Sequence, residues 1–147
     1  MRFLVLNNDR RLAGYDFQAL FRRYDAQANV TVMRKYDAKD LDAGISVDIV
    51  IATCETDVLP AAELREKLGI SGQKPDNAIP FRDKIEMKTL ALSKGFATPY
   101  FSSVKTVSDV VMFASKYGYP VIVKPVDSVG SLGLRKISSA NELEGLE

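Results

Sequence analysis

The sequence predicts an α/β fold whose first half builds a small parallel sheet. Three short apolar segments, at Arg2 to Leu6, Asn29 to Lys35 and Val47 to Thr53, are separated by helical patterns. Strands that alternate with helices form parallel sheets, because each helix carries the chain back to the start of the next strand. The 147 residues are enough for one compact domain or two small lobes.

Composition restricts the class of protein. Hydrophobic residues make up 46% of the chain, charged residues 27%, and the net charge is +1, so no nucleic-acid or membrane surface is expected. With Cys54 as the single cysteine, no disulfide can form within the chain, and no signal peptide is apparent. These features favour a cytoplasmic protein. The absence of histidine excludes Ser-His-Asp and Cys-His catalysis within this chain.

The helices of the first half have recognisable signals. Apolar residues from Phe17 to Tyr24 recur at helical spacing and predict a helix over Tyr15 to Tyr24. Asp37 to Leu41 is expected to form a helical turn. After the third strand, Pro60 suits the first turn of another helix, and Gly69 is suited to end it.

A proline-containing stretch follows the last of these helices. Pro75 and the polar segment Asp76 to Pro80 predict a linker. We therefore place a boundary between a first domain, 1–78, and a second domain, 79–147.

The second domain is expected to mix helices and strands. A helix should run from Phe81 to Lys94 and stop at Gly95, and Tyr100 to Val104 should be a short strand. Thr106 is a suitable N-cap for an amphipathic helix that ends at Gly118.

The most informative stretch runs from Tyr119 to Leu134, with the sequence YPVIVKPVDSVGSLGL. Val121 to Val123 is a continuous β-branched run, which predicts a strand buried on both faces. Lys124 places a cation at the end of this strand, and Pro125 cannot extend a hydrogen-bonded ladder. The turn that follows is rich in small residues, namely Ser128, Gly130, Ser131 and Gly133. A lysine beside such a turn is well suited to hold a polyphosphate, because backbone amides can approach the anion closely.

Little sequence follows this turn. Leu132 to Ile137 is expected to be the hairpin partner of the strand, and Ser139 to cap a final helix that begins at Ala140. Nothing after that helix is long enough to cover the loop from the opposite side. We therefore expect the sequence to be the N-terminal part of a longer protein.

The candidate phosphate-binding residues also have structural interpretations. Lys124 could simply reach solvent at the end of its strand. Lys84 shares its helix with Lys88 and Lys94, as on an ordinary solvated helix face. The glycines could form a plain hairpin turn, although the density of glycine and serine exceeds what a hairpin requires.

Polar residues also follow the strands of the first half, where open α/β sheets bind ligands. Asn7 follows the first strand and Glu55 follows the third, so both are candidates for contact with a substrate. Glu55 could instead cap the next helix, and Asn7 is open to the same doubt. Cys54 is expected to be a small, buried residue rather than a nucleophile. The loop after the first strand lacks a G-x-G-x-x-G pattern, which argues against a dinucleotide site.

Two motifs of the second half resemble the ATP-grasp superfamily of carboxylate–amine and carboxylate–thiol ligases. FRDKIEMKTLALSKGFATPYF is similar to the family's D-K helix and the strand entry that follows it, and YPVIVKPVDSVGSLGLRKI is similar to its V-K-P and glycine-rich segment. The resemblance is to the branch that contains carbamoyl phosphate synthetase, biotin carboxylase, D-alanine–D-alanine ligase and L-amino-acid ligases. It implies that residues 79–147 are part of the first α+β subdomain of an ATP-grasp fold and that residues 1–78 are the Rossmann-like pre-ATP-grasp domain.

The resemblance also implies a site and a reaction. Lys84 and Lys124 match the two lysines that grip the nucleotide in the family. The family's loop over the ATP phosphates corresponds to Ser128, Gly130, Ser131 and Gly133. The family uses ATP and magnesium to activate a carboxylate as an acyl phosphate, which an amine or similar nucleophile then attacks. The expected ligands are therefore ATP, Mg²⁺, a small carboxylate and an amine-type acceptor, with a homo-oligomer also possible.

Several parts of the family's active site have no counterpart before residue 147. These are the adenine hinge, the magnesium ligands and an arginine at the phosphates, so we assign no catalytic or metal-binding residue here. This chain alone is expected to be inactive. The alternative is a non-catalytic nucleotide-binding module, or one subunit of a split enzyme that a partner chain completes. The sequence does not identify the carboxylate or the nucleophile.

Overall fold

A computed structural model describes residues 1–34 and 46–143 of the chain. The chain divides into two compact units, Met1–Phe81 and Arg82–Glu147. The helical turn predicted at Asp37 to Leu41 lies outside the described residues.

The first unit contains a three-stranded parallel sheet in the order β2-β1-β3. The strands are β1 (Arg2–Leu6), β2 (Asn29–Met33) and β3 (Ile49–Ala52). In the central strand, Leu4 is paired with Thr31 on one side and with Val50 on the other. The predicted small parallel sheet is therefore confirmed.

The central strand is covered on both of its faces. Leu4 and Leu6 pack with Val50 of β3 and with Ala61 and Leu64, which lie on helix α2 (Val58–Lys67). Phe3, which points to the opposite face because side chains alternate along a strand, stacks on Phe21 of α1 (Phe17–Arg22) at 4.5 Å between ring centroids. Burial on both faces explains why β1 is an uninterrupted apolar run.

The linker predicted at Asp76 to Pro80 is wrong, because these residues belong to helix α3 (Pro75–Arg82). Pro75 occupies the first helical position, where its missing N–H has no partner to lose. Ala78 is fully buried and anchors the helix, which also tolerates Pro80 near its end. The two prolines therefore frame a short helix rather than a linker.

The second unit contains two longer helices and one hairpin. Helix α4 (Lys84–Ser93) begins after Asp83, whose carboxylate accepts hydrogen bonds from the amides of Ile85 and Glu86. Helix α5 (Val107–Tyr117) begins after Thr106, which confirms the predicted N-cap, and Thr106 forms a capping box with Asp109. Strands β4 (Val121–Val123) and β5 (Arg135–Ile137) pair in an antiparallel hairpin.

Three predictions for this unit are wrong or incomplete. Tyr100 to Val104 has no regular secondary structure, since no strand in the described part of the chain pairs with it. The strand β4 is buried on one face only: Ile122 is 60% exposed, because the two-stranded sheet packs its other face against α5. The segment Ala140–Leu143 is a 3₁₀ helix, and the remainder of the predicted final helix lies outside the described residues.

Within residues 1–34 and 46–143, no helix is long and apolar enough to cross a bilayer.

Replacing Leu4 with alanine should destabilise the first unit. Leu4 is 0% exposed at the centre of the sheet, and removing a fully buried leucine side chain costs about 2–5 kcal/mol of unfolding free energy. Urea denaturation followed by circular dichroism measures this loss. Leu92→Ala is the matched control, because Leu92 is 51% exposed and its truncation should change stability by less than about 0.5 kcal/mol. Equal losses for the two variants would contradict the placement of Leu4 in the core.

Candidate functional site

The second unit contains a cavity of about 490 Å³. Helix α4, the irregular segment 99–104, helix α5 and strand β4 contribute to its walls. Most of the lining is apolar or aromatic, including Tyr100, Phe101, Phe113, Tyr117, Val121 and Ile122. Three lysines, Lys84, Lys88 and Lys124, supply its positive charge.

Lys84 is held at the first position of α4 by the cap that Asp83 provides. Its ammonium group donates hydrogen bonds to the carbonyl oxygens of Val126, at 3.0 Å, and Ser128, at 2.8 Å. Its backbone N–H also donates to the carbonyl of Val126, at 3.1 Å. The structure therefore brings together the first predicted lysine and the start of the predicted phosphate loop.

A second cation supports the same segment. The guanidinium of Arg82 donates a hydrogen bond to the carbonyl oxygen of Asp127. The backbone from 126 to 128 is thus bound by Arg82 at the end of α3 and by Lys84 at the start of α4. The sequence analysis did not foresee this role of Arg82, because a contact with a backbone carbonyl leaves no signal in the sequence.

Lys124 directly follows the last residue of β4 and is exposed. As predicted, Pro125 follows where the strand ends. The strand therefore delivers the Lys124 side chain to the same cavity that Lys84 lines.

Lys88 is a residue whose position the sequence analysis missed. It was assigned to an ordinary solvated face, but it is half-buried, and its Nζ lies 5.1 Å from the centroid of the Phe101 ring. Two effects lower the pKa of Lys88: the larger is its burial, and the smaller is the positive charge of Lys124. The sequence did contain a signal for this position. Lys88 is four residues after Lys84, and residues four apart lie on the same side of a helix, so Lys88 could have been expected to face the same cavity as Lys84.

No acidic side chain of the described residues forms an ion pair with the three cavity lysines. Among the described residues, the ion pairs within 4.0 Å involve Met1, Arg2 and Arg11, and none of the three cavity lysines. Cations that converge without a carboxylate partner repel one another, and a bound anion would relieve that repulsion.

The Gly/Ser loop, residues 128–133, has a backbone that favours close approach to an anion. Gly130, Ser131 and Gly133 have φ values of 60°, 61° and 73°, in the left-handed region. In the described part of the chain, the amides of these residues donate no hydrogen bond, whereas those of Leu132 and Leu134 close local turns. Successive unpaired amides in turn conformations form anion-binding concavities.

Asn7 occupies the carboxyl end of the sheet in the first unit. It is only 2% exposed; its amide group donates to the carbonyl of Leu12, at 3.0 Å, and accepts from the hydroxyl of Thr53, at 2.9 Å. Its backbone N–H donates to the carbonyl of Met33, at 2.8 Å. Asn7 therefore connects the ends of all three strands, and its contact with a substrate stays a prediction.

Asp57, which follows β3 at the carboxyl end of the sheet, is a buried carboxylate of this region. It accepts hydrogen bonds from the backbone and side-chain amides of Asn8, at 3.1 and 2.7 Å, and from the thiol of Cys54, at 3.1 Å. These bonds join the loop after β1 to the loop after β3. Glu55 begins the 3₁₀ turn Glu55–Asp57 and is exposed, and its predicted contact with a substrate is untested.

The second half of the chain is similar to a known protein family. Residues 81–146 match the family model described as "Carbamoyl-phosphate synthase L chain, ATP binding domain". This match contains all three cavity lysines and the Gly/Ser loop.

Individual relatives are ligases. The chain is 31% identical over 122 residues to an L-arginine-specific L-amino acid ligase of Bacillus subtilis, covering 83% of this chain and 29% of that protein. It is 36% identical over 61 residues to a D-alanine–D-alanine ligase of Pseudomonas fluorescens (strain Pf0-1), covering 42% of this chain and 19% of the relative. The resemblance to ATP-grasp ligases of this branch is therefore confirmed.

A solved structure has the same fold. The crystal structure of an L-amino acid ligase from Bacillus licheniformis matches 98% of this chain with a TM-score of 0.72 and 18% sequence identity. The match covers 40% of that protein, so this chain spans less than half the length of each relative described here.

Replacing Gly133 with alanine should disturb the loop more than the same change at Gly130. Both residues have positive φ, which costs a residue with a Cβ about 1–2 kcal/mol. A Cβ at Gly133 would also lie 2.8 Å from Cγ of Pro125, whereas a Cβ at Gly130 would meet no atom within 4 Å. Urea denaturation of both variants measures the difference.

A double variant isolates the steric part of this effect. Pro125→Ala should recover part of the loss in Gly133→Ala, because it removes the ring that the new Cβ would strike. Equal losses for Gly130→Ala and Gly133→Ala would contradict the close packing of Gly133 on Pro125.

Proposed function

We propose that this chain is the N-terminal part of an ATP-dependent ligase that joins a carboxylate to an amine. The supporting observation is the convergence of Lys84 and Lys124 on one cavity, together with a loop of left-handed residues that begins beside Lys84. In this proposal residues 1–78 are the Rossmann-like pre-ATP-grasp domain and residues 79–147 belong to the first ATP-grasp subdomain.

In the proposed reaction, ATP supplies the phosphoryl group that activates the carboxylate as an acyl phosphate. Lys84 and Lys124 neutralise negative charge on the phosphates, which favours transfer by positioning and charge stabilisation. Lys84 is preorganised for this role, because two of the three N–H bonds of its ammonium group already point at the carbonyls of Val126 and Ser128. One N–H remains for a phosphate oxygen.

The Gly/Ser loop supplies neutral donors beside these cations. The amides of Gly130, Ser131 and Gly133 and the hydroxyls of Ser128 and Ser131 are proposed to bind phosphate oxygens. Such donors add direction to a site in which lysine acts mainly as a point charge.

The relatives support an amino acid as the carboxylate substrate. The B. subtilis relative is specific for L-arginine by its name, and its match over 122 residues is longer than residues 82–147 alone can supply. The similarity therefore extends into the first unit, where Asn7 and Glu55 are proposed to lie near the substrate. The acceptor is proposed to be an amine, such as that of a second amino acid.

Magnesium is proposed to accompany ATP, but this part of the chain does not fit a metal site of its own. Among the described residues, no group of three or more Asp, Glu or Cys side chains could hold a metal ion. No step is therefore assigned to magnesium through these residues.

Lys124→Ala in the full-length protein should weaken the binding of ATP. A hydrogen bond to a charged group contributes about 1.5–3 kcal/mol, which corresponds to a loss of about tenfold or more in affinity. Isothermal titration with ATP and Mg²⁺ measures this loss. Lys136→Ala is the matched control, since Lys136 lies on β5 and does not line the cavity.

Two outcomes would change the proposal. Unchanged affinity in Lys124→Ala would remove this lysine from the phosphate site. Binding of ATP without release of phosphate, in a screen of amino acids and small carboxylates, would favour the alternative of a non-catalytic nucleotide-binding module.

A further inference from the structure

Lys88 lies one helical turn after Lys84 on α4 and lines the same cavity. It is half-buried, and its ammonium group lies 5.1 Å from the centroid of the Phe101 ring. A lysine commonly lays its methylene chain along apolar surface while its ammonium group reaches water. The ammonium group of Lys88 instead lies over an aromatic ring, in a cavity that two other lysines also line.

The surroundings of Lys88 are unfavourable for a cation unless an anion binds. The charged groups that share its cavity are Lys84 on the same helix and Lys124 at the end of β4. The facing segment and α5 add two titratable groups to the cavity lining, the phenols of Tyr100 and Tyr117, whereas Asp109 and Lys116 of α5 do not line the cavity. No carboxylate lies within 4.0 Å of Lys88 in the described part of the chain.

The pKa of Lys88 reflects these surroundings. It is lowered, first by burial and then by the positive charge of Lys124. Because Lys88 and Lys124 line the same cavity, one multiply charged ligand bound there could contact both ammonium groups.

We propose that Lys88 is a third phosphate-binding cation of this cavity, which contacts the polyphosphate together with Lys84 and Lys124. This inference rests on the proposed function, the binding of ATP. The cation–π contact with Phe101 holds the Lys88 side chain toward the cavity while leaving its N–H bonds available.

Binding measurements on the full-length protein test the role of Lys88. ATP, inorganic tripolyphosphate and adenosine are the three probes, because only the first two carry a polyphosphate. Lys88→Met keeps a long apolar side chain against Phe101 and removes the charge. It should weaken ATP and tripolyphosphate by about tenfold or more, the effect of losing one charged hydrogen bond, and leave adenosine unchanged.

Two further variants control for charge and for structure. Lys88→Arg keeps the cation and should retain most of the affinity for both polyphosphates. Lys94→Met removes a lysine that caps the C-terminus of the same helix, is exposed and does not line the cavity, so its affinities should equal those of the unmodified protein.

The dependence of affinity on pH gives an independent readout. Only protonated Lys88 attracts the anion, and its lowered pKa means that it loses its proton at lower pH than an ordinary lysine. As pH rises, affinity for tripolyphosphate should therefore fall earlier in the unmodified protein than in Lys88→Arg. The other two lysines and both tyrosines of the cavity are the same in both proteins, so the difference reports Lys88 itself.

The results separate this inference from the proposed function. Full affinity in Lys88→Met, alongside a loss in Lys124→Ala, would overturn the role of Lys88 alone. An equal loss for adenosine and ATP in Lys88→Met would also overturn it, since that pattern indicates a structural role. Failure of the unmodified protein to bind ATP and tripolyphosphate would overturn both.

Discussion

The hydrogen bonds from the Lys84 ammonium group to the carbonyls of Val126 and Ser128 are the contacts on which the candidate site depends. They connect the first residue of α4 to the backbone that leaves β4. The Asp83 cap sets where the helix begins, and therefore where Lys84 projects. These hydrogen bonds help to fix the position of α4, which carries Lys84 and Lys88, relative to the Lys124 strand and its loop.

Charge explains why such an arrangement suits a phosphate. Lys84, Lys88 and Lys124 line one cavity, and none has an acidic partner within 4.0 Å among the described residues. In a purely structural role, the mutual repulsion of these cations and the partial burial of Lys88 would destabilise the fold. A bound polyphosphate would relieve this repulsion with its negative charge, so the repulsion between the lysines favours binding of the anion.

The first unit shows a related use of polar groups at the ends of strands. Asn7 and Asp57 are buried, and their hydrogen bonds hold the loops after β1 and β3 in place. These two residues shape the carboxyl end of the sheet, where ligands bind in open α/β folds. Exposed groups on the same loops, such as Glu55, then have a rigid support.

Hydrophobic periodicity and turn residues predicted correctly those helices and strands whose sequence pattern fits only one kind of surroundings. The strand β1 was readable because burial on both faces makes it a continuous apolar run, and α5 because Thr106 and Gly118 mark its ends. The predictions failed where one pattern fits two environments. Pro75 can begin a helix or a linker, and the β-branched residue Ile122 suits an exposed strand face as well as a buried one.

The sequence by itself determined the parallel sheet of the first unit, the presence of the helix that carries Lys84, and the Lys124 strand with its Gly/Ser turn, whereas the start of that helix at Lys84 rather than Phe81 came from the structure. These features depend on local patterns, such as spacing, caps and turn residues, that neighbouring residues set. Only the tertiary structure decided that Lys88 faces the cavity, that Arg82 holds the loop, and that Asn7 is buried. Helical spacing shows which residues share a face, but what that face packs against depends on contacts between segments distant in the chain.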